Sequence, residues 1–173
     1  MKRSLLQILV LLLPLTFIST GCDKIFGNKN NFVYSTSFEK NEKMDQWENG
    51  DKAEFQMAAP KGGGKRSLFV SGGCVIPHMV LDLGKIVSEE LFTVKFMGKV
   101  LSNGGSVSLT AVKDNSEWVD LGSVYLSEPN WKEYLLKSTA PTPIGYNLKI
   151  QMSSGGFIAG GMLIDLLEID ELN

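Results

Sequence analysis

The sequence has few of the residues on which catalysis and nucleic-acid binding usually depend. It contains one histidine, His78, and two cysteines, Cys22 and Cys74. A single histidine excludes a His-rich metal site. Residues 22–173 contain only one arginine, Arg66, and their 15 basic and 19 acidic side chains give a net charge of −4. A mildly acidic body of this kind is not expected to bind the phosphate backbone of a nucleic acid.

The first 21 residues are apolar but lack the length of a membrane span. Lys2 and Arg3 precede a run of about 14 largely apolar residues, from Leu5 to Ile18, which Pro14 interrupts. A transmembrane helix needs about 20 apolar residues, whereas a basic start followed by a short apolar run is typical of a secretory signal peptide. We therefore expect residues 1–21 to be a signal peptide that is cleaved.

The segment Ile18-Ser19-Thr20-Gly21-Cys22 resembles the lipobox of bacterial lipoproteins, in which the cysteine after the glycine is lipidated. The resemblance implies a protein of the bacterial cell envelope, with lipid on Cys22 and a membrane as partner, and residues 22–31 as a lipidated tether. Whether that membrane is the inner or the outer one stays open. With Cys22 lipidated, Cys74 has no partner for a disulfide, and we expect it to be a buried apolar thiol.

From Phe32 onward, apolar and polar residues alternate with the period of two that is typical of half-buried antiparallel strands. In Phe92–Val100, for example, phenylalanine and valine occupy one side, and Thr93 and Lys95 occupy the other. Gly- and Asn-rich turn signals separate such runs, and no long window has a helical period. Residues 32–173 are therefore predicted to form one all-β domain, a jelly-roll β-sandwich of about ten antiparallel strands.

The predicted strands share this alternation or an apolar run between turn signals. They are Phe32–Phe38, Ala53–Met57, Ser67–Ser71, Met79–Leu83, Phe92–Val100, Ser106–Ala111, Ser123–Leu126, Lys132–Ser138, Asn147–Met152 and Met162–Glu171.

Five short segments follow one another along this body. Ser37-Phe38-Glu39 is followed by Trp47 and by Gly64–Val70; Trp131–Tyr134 comes later, and Leu163–Ile169 lies near the end. Their order and spacing resemble the galactose-binding-like jelly rolls, a superfamily that includes the carbohydrate-binding modules of bacterial glycanases. The resemblance covers Ser37 to Leu172 and implies a binding domain rather than a particular ligand.

Many modules of this kind hold a structural calcium ion away from the sugar site. The side chains that match its ligands are Glu39, on the opening strand, and Asp165, on the closing strand. The resemblance therefore implies a calcium ion, bound by hard oxygen ligands, that ties the two ends of the domain together. Asp165 stands in an apolar run, where a buried carboxylate needs a partner, and backbone amides are the alternative to a metal.

Sugar-binding sites stack pyranose rings on exposed aromatic side chains that lie beside polar groups. Trp47 and Trp131 match packing positions of the resembling modules, so we expect both in the core. Trp118 lies in the polar segment 114–120 and is the first candidate for a sugar platform. The alternative for Trp118 is that it anchors a loop.

Tyr125, Tyr146 and His78 are further candidate ligand-binding residues, and no catalytic residue is predicted. Cys74 and His78 lack the third, orienting group that a nucleophile pair needs. We predict a membrane-anchored lipoprotein, not an enzyme, whose carbohydrate-binding-type domain takes a glycan as partner. The alternative is a structural or protein-interaction lipoprotein that uses the same fold to bind an envelope protein without binding sugar.

Overall fold

The computed structural model describes residues 33–72, 79–114, 117–155, 158 and 160–172. These residues form eleven β-strands and one 3-10 turn, which confirms the all-β prediction. No helix in the described part of the chain is long and apolar enough to cross a membrane. The predicted signal peptide and tether lie outside the described residues, as do Cys22, Cys74 and His78.

The strands in chain order are β1 (Val33–Thr36), β2 (Trp47–Glu48), β3 (Glu54–Gln56), β4 (Ser67–Gly72), β5 (Met79–Lys85), β6 (Leu91–Ser102), β7 (Gly105–Lys113), β8 (Glu117–Leu126), β9 (Lys132–Lys137), β10 (Asn147–Ser154) and β11 (Gly160–Leu172). The 3-10 turn is Gly50–Lys52. Each predicted strand corresponds to one of these. The two-residue β2 was not predicted because it is too short to alternate, and β8 begins six residues before the predicted start at Ser123.

The strands form two antiparallel sheets that face each other. One sheet has the order β3-β4-β11-β6-β9, with β1 also paired to β11, and the other has the order β2-β5-β10-β7-β8. Alternate residues of both sheets point inward and build one hydrophobic core. Phe92, Val94 and Phe96 of β6, for example, are fully buried, while Lys95 between them is exposed. A one-residue shift of β6 would bring Lys95 into the core.

The two tryptophans that were predicted to pack inside differ in their surroundings. Trp47 is 4% exposed; its ring meets Phe38 edge-on, with the centroids 5.7 Å apart, and its Nε1 donates a hydrogen bond to the Tyr34 hydroxyl at 2.9 Å. Trp131 is only half-buried and lies outside the core cluster. Lys99 is within 5.3 Å of the centre of its ring. The prediction of a core position was wrong for Trp131 because it stands just before the edge strand β9, where no neighbouring strand covers it.

Strand β11 joins more of the fold than any other described strand, since it pairs with β1, β4 and β6. β6 runs along one edge of it. Along the other edge, β4 pairs as far as Ile164 and β1 pairs from Leu167 onward. Between these two partners, at Asp165 and Leu166, the register with β6 also shifts, and Leu166 adopts a φ of 48°. The ladder therefore has a gap beside Asp165.

Candidate functional site

Trp118 and Tyr125 lie on the same outward face of β8, although they are seven positions apart in the sequence. An odd separation normally places two strand residues on opposite faces. Here a bulge intervenes: Thr110 of β7 pairs with Asp120, but the preceding residue of β7, Leu109, pairs with Gly122, and Leu121 is left over between them. The extra residue reverses the alternation, so both rings end up facing outward.

The pairing with β7 confirms this placement. Trp118 lies opposite Val112 and Tyr125 lies opposite Ser106, and these two residues of β7 share the face that points away from the core. Both rings are free of the core, because Trp118 is 67% exposed and Tyr125 is 64% exposed. We call the outward side of the five-stranded sheet, with these rings on its edge strand, the aromatic face.

Polar side chains occupy the aromatic face between and beside the two rings. Asp120 and Ser123 lie on β8 itself, and both are exposed. The neighbouring strands β7 and β10 add hydroxyls, amides and a lysine to the same face. These residues are Ser108, Thr110, Asn147, Lys149 and Gln151. Amides, hydroxyls and carboxylates are the groups that hydrogen-bond sugar hydroxyls.

Lys149 is the central cation of this face and is held by two carboxylates. Its Nζ bonds Glu48 and lies 3.5 Å from Asp82. Burial would lower the pKa of Lys149, but the hydrogen bond with Glu48 and the charge of Asp82 raise its pKa above the usual value overall. The Asn147 amide also donates to Asp82, at 3.3 Å. These contacts fix the polar side chains in place before any ligand arrives.

Thr110 is unusual because it points outward yet is only 3% exposed. It stands between Lys149 and Asp120 in the register, and its Oγ1 is buried without a hydrogen-bond partner in the described structure. A buried hydroxyl without a partner costs free energy. The centre of the aromatic face therefore contains a buried hydroxyl whose hydrogen-bonding capacity is not used within the described structure.

A groove of about 540 Å³ adjoins the Tyr125 end of the aromatic face, and we call it the end groove. Its walls come from the turn between β6 and β7, the end of β8 and the connection from β10 to β11. Tyr125 and Ile158 supply exposed apolar surface, and Asn103 and Ser127 supply polar groups. Tyr125 thus belongs to both the groove and the face.

Tyr146 does not belong to this surface. It is 9% exposed and is part of the core cluster. Its hydroxyl donates to Glu117, a contact that raises the pKa of the phenol, and Lys113 lies 5.7 Å from its ring centre. The burial of Tyr146 in the core contradicts its prediction as a ligand-binding residue, because a buried ring cannot stack on a sugar.

The two predicted calcium ligands meet at the gap in β11, on the other sheet. Glu39 Oε1 accepts hydrogen bonds from the backbone N–H groups of Lys65, at 2.7 Å, and Arg66, at 3.2 Å. A Cβ atom added to Gly64 would stand 2.4 Å from that Oε1, and one added to Gly63 would stand 2.3 Å from Asp165 Oδ2. Only glycines allow both carboxylates to approach this closely.

Asp165 is fully buried, and only one of its oxygens has a partner. Oδ1 accepts a hydrogen bond from the Leu166 N–H at 2.7 Å, whereas Oδ2 has none in the described structure. Burial above all, together with the nearby charges of Glu39 and Glu42, raises the pKa of Asp165 to about 7, although the hydrogen bond from the Leu166 N–H lowers it. Glu39 behaves oppositely, because the Lys65 and Arg66 amides lower its pKa.

This arrangement fits a hard divalent cation. Calcium is bound by carboxylate and carbonyl oxygens, six to eight in number, and an unpartnered buried carboxylate oxygen is a group that such an ion would satisfy. Within the described residues no three His, Cys, Asp or Glu side chains gather as a metal-binding group. Glu39 and Asp165 would therefore need backbone oxygens and water to complete the coordination.

No protein-family model matches the chain, and no curated protein matches it. Several solved structures share its fold. The tandem CBM22-1–CBM22-2 domain of Paenibacillus barcinonensis Xyn10C is 18% identical, with a TM-score of 0.59 over 81% of this chain and 45% of that one. The Family 16 Carbohydrate Binding Module-2 is 17% identical, with a TM-score of 0.52 over 73% of this chain and 91% of that one.

A third structure comprises the CBM22-1 and GH10 modules of Clostridium thermocellum xylanase 10B, complexed with xylohexaose. It is 13% identical, with a TM-score of 0.53 over 75% of this chain and 27% of that one. The chain thus spans less than half the length of the two multi-module structures. It has the jelly-roll fold of a carbohydrate-binding module. At these identities the likeness establishes the fold and leaves the ligand to be argued from the site.

Sequence reasoning identified Trp118 and Tyr125 separately but did not bring them together. The missing information was the bulge opposite Leu109 and Thr110. Its signal in the sequence is Gly122, which adopts a φ of 133° and whose N–H is bonded to Asp120 at 2.8 Å. A glycine inside a strand often marks a bulge.

The raised pKa of Asp165 predicts an unusual pH dependence of stability for the metal-free protein. Between its ordinary pKa of 3.8 and the folded value of about 7, the folded state binds more protons than the unfolded state. The free energy of unfolding should therefore fall as the pH rises through this range. Urea unfolding in a chelator at about pH 5 and about pH 7.5 measures the change.

Asp165→Asn should remove this component and be at least as stable as the native protein above pH 7, because an amide carries no buried charge. Asp170→Asn is the matched control, since Asp170 is exposed on the same strand. A pH slope that is the same in the native protein and in Asp165→Asn would contradict the assignment.

Proposed function

We propose that this protein is a non-catalytic carbohydrate-binding protein that holds a glycan along strand β8, across the aromatic face. The observation that carries the proposal is the placement of two exposed aromatic rings on one face, with a polar strip between them. Stacking on Trp118 and Tyr125 would supply most of the affinity, because sugar rings present apolar faces to aromatic side chains. The polar side chains between them would orient the sugar hydroxyls.

The spacing of the rings favours a chain of several sugar units over a single terminal sugar. The residues opposite Trp118 and Tyr125 are Val112 and Ser106, six positions apart on the regular strand β7. At a rise of about 3.4 Å per residue, they are about 20 Å apart. One sugar cannot contact both rings, so the arrangement suits an extended oligosaccharide whose end reaches the end groove.

The glycan proposal predicts that removing either ring weakens binding. Trp118→Ala and Tyr125→Ala should each lower the affinity for an extended oligosaccharide about tenfold or more, which corresponds to at least about 1.4 kcal/mol. A glycan array covering plant and bacterial-envelope glycans would identify the ligand, and titration calorimetry would give the affinities. Affinity should also increase with chain length until both rings are covered.

Trp131→Ala serves as the matched tryptophan control, because Trp131 lies beside β9 on the other sheet. Its affinity should equal that of the native protein. Absence of binding to every glycan of the array would contradict the proposal and favour the alternative, a structural or protein-interaction lipoprotein of the envelope with the same fold. Binding that is unchanged in Trp118→Ala would show that another surface is used.

We also propose a structural calcium ion between Glu39 and Asp165. Support comes from the unpartnered Asp165 Oδ2 and from the two glycines that let both carboxylates approach. When bound, the ion would supply positive charge that keeps Asp165 ionised. It would also join the segment that carries Glu39, before β4, to strand β11, which carries Asp165. Its role is stability rather than reaction.

Calcium should therefore raise the melting temperature of protein first stripped of metal. A ligand that binds only the folded state stabilises it by about 2.7 kcal/mol at 100 times its Kd. Glu39→Gln and Asp165→Asn should lose most of the rise, whereas the exposed control Asp170→Asn should retain it. Equal melting temperatures of metal-free native protein with calcium and with chelator would contradict the site.

We further propose that the protein is anchored in the bacterial envelope through lipid on Cys22. Support comes from the sequence alone, in the short apolar run and the residues that precede Cys22. Cys22→Ser should abolish acylation, seen as loss of the lipid mass in whole-protein mass spectrometry, and should release the protein from the membrane fraction. Unchanged mass and fractionation would contradict the anchor.

A further inference from the structure

Two exposed aliphatic side chains stand side by side at one end of the sandwich. Val87 is 84% exposed and Ile144 is 60% exposed. Their loops run alongside each other, because the Ile86 N–H donates to the Tyr146 carbonyl and the Gly145 N–H donates to the Ile86 carbonyl, each at 2.8 Å. Single exposed aliphatic residues are ordinary, but neighbouring ones form an apolar patch, and apolar surface patches are found at contacts with membranes and other partners.

The described chain begins at this same end. Val33, the first described residue, pairs with Asp170 of β11, close to the end of that strand at Leu172. Leu172 pairs with Leu91, the first residue of β6, which directly follows the loop that carries Val87. We call this end, with its two aliphatic side chains, the proximal end.

The opposite end of the sandwich lies considerably farther from Val33. Asp170, beside Val33, and Gly160, at the far end of β11, are ten residues apart. At about 3.3 Å per residue, this separates the two ends by about 33 Å. The end groove lies at the far end, because Gly155 and the turn before β7 contribute to its walls.

We propose that the proximal end rests on the lipid bilayer, with Val87 and Ile144 in its interfacial region. This inference rests on the lipid anchor at Cys22 proposed above. The segment from Cys22 to Val33 comprises eleven peptide steps, and a chain of that length can reach at most about 40 Å. Contact at the far end, about 33 Å away, would use nearly all of this reach, whereas contact at the proximal end needs little of it.

The chemistry of the proximal end favours an apolar contact over attraction to anionic lipid. Glu89 is exposed in the same loop as Val87, and exposed lysines at this end include Lys85 and Lys113, so charges of both signs lie near the aliphatic pair. Two side chains alone bury too little area to hold a protein on a membrane. The anchor supplies a high effective concentration, and the pair then sets the orientation.

This orientation has a consequence for the aromatic face. Trp118 lies opposite Val112 on β7, and Val112 lies opposite Asn147 on β10. Asn147 in turn lies opposite Lys85, which is next to the proximal end. Tyr125 lies toward the other end, beside the end groove. A glycan lying along β8 would then run away from the membrane, with the end groove pointing outward.

The test uses the full-length lipidated protein in phosphatidylcholine vesicles that contain a lipid with a nitroxide near its headgroup. In a Cys74→Ser background, a bimane fluorophore is attached at Ser88→Cys, beside Val87, or at Leu101→Cys, near the far end. We expect several-fold stronger quenching at position 88 than at 101. Adding Val87→Ser and Ile144→Ser should reduce quenching at 88 to the level at 101.

Leu135→Ser is the matched control for loss of an exposed aliphatic residue and should leave the quenching at 88 unchanged. Equal quenching at 88 and 101 would overturn the proposed orientation, and stronger quenching at 88 that survives the double substitution would overturn the role of Val87 and Ile144 in it. A protein that carries no lipid would overturn the inference together with the anchor, and the mass of the protein distinguishes this outcome. If quenching at 88 exceeded quenching at 101 only in vesicles that contain phosphatidylglycerol, the contact would be electrostatic and the proposed apolar contact would be overturned.

Discussion

The pairing of β11 is the constraint on which most of the described structure depends. Its thirteen residues pair with β6 on one edge and with β4 and then β1 on the other, so one strand near the C terminus joins the opening of the domain to its middle. Since β4 stops at Ile164 and β1 begins at Leu167, the backbone between them has no strand partner on that edge. The loop at Gly63 approaches Asp165 Oδ2 at this gap, and Asp165 is fully buried there.

A second irregularity, in β8, produces the aromatic face. Regular alternation would have turned Tyr125 into the core, where a tyrosine needs a partner for its hydroxyl. The bulge at Gly122 turns it outward and leaves Leu121 and Leu126, on either side of the bulge, fully buried. One extra residue thus preserves the apolar packing of the strand while it brings two aromatic rings onto the same surface. A bulge on an edge strand also discourages pairing with another chain.

These irregularities mark the limit of what could be predicted from the sequence. The strands and their inward faces followed from alternation, because burial of one face leaves a period of two in the residues themselves. Glu39 and Asp165 were paired through a resemblance, and the structure brings their side chains to adjacent glycines. The bulge, the burial of Tyr146 and the partial exposure of Trp131 depend on which strand covers which. That information lies in contacts between residues distant in the sequence.

The two candidate sites lie on opposite sides of the sandwich. Asp165 pairs with Met97 of β6. Because Phe96, next to Met97, points into the core, Met97 and the Asp165 carboxylate lie on the outward side of the six-stranded sheet. Trp118 and Tyr125 belong to the outward side of the five-stranded sheet. An ion at Asp165 therefore cannot coordinate a sugar that lies on these rings, and its effect on binding must pass through the stability of the fold. Ligand recognition is left to the edge strand β8, whose two rings and intervening polar groups are held by the sheet behind them.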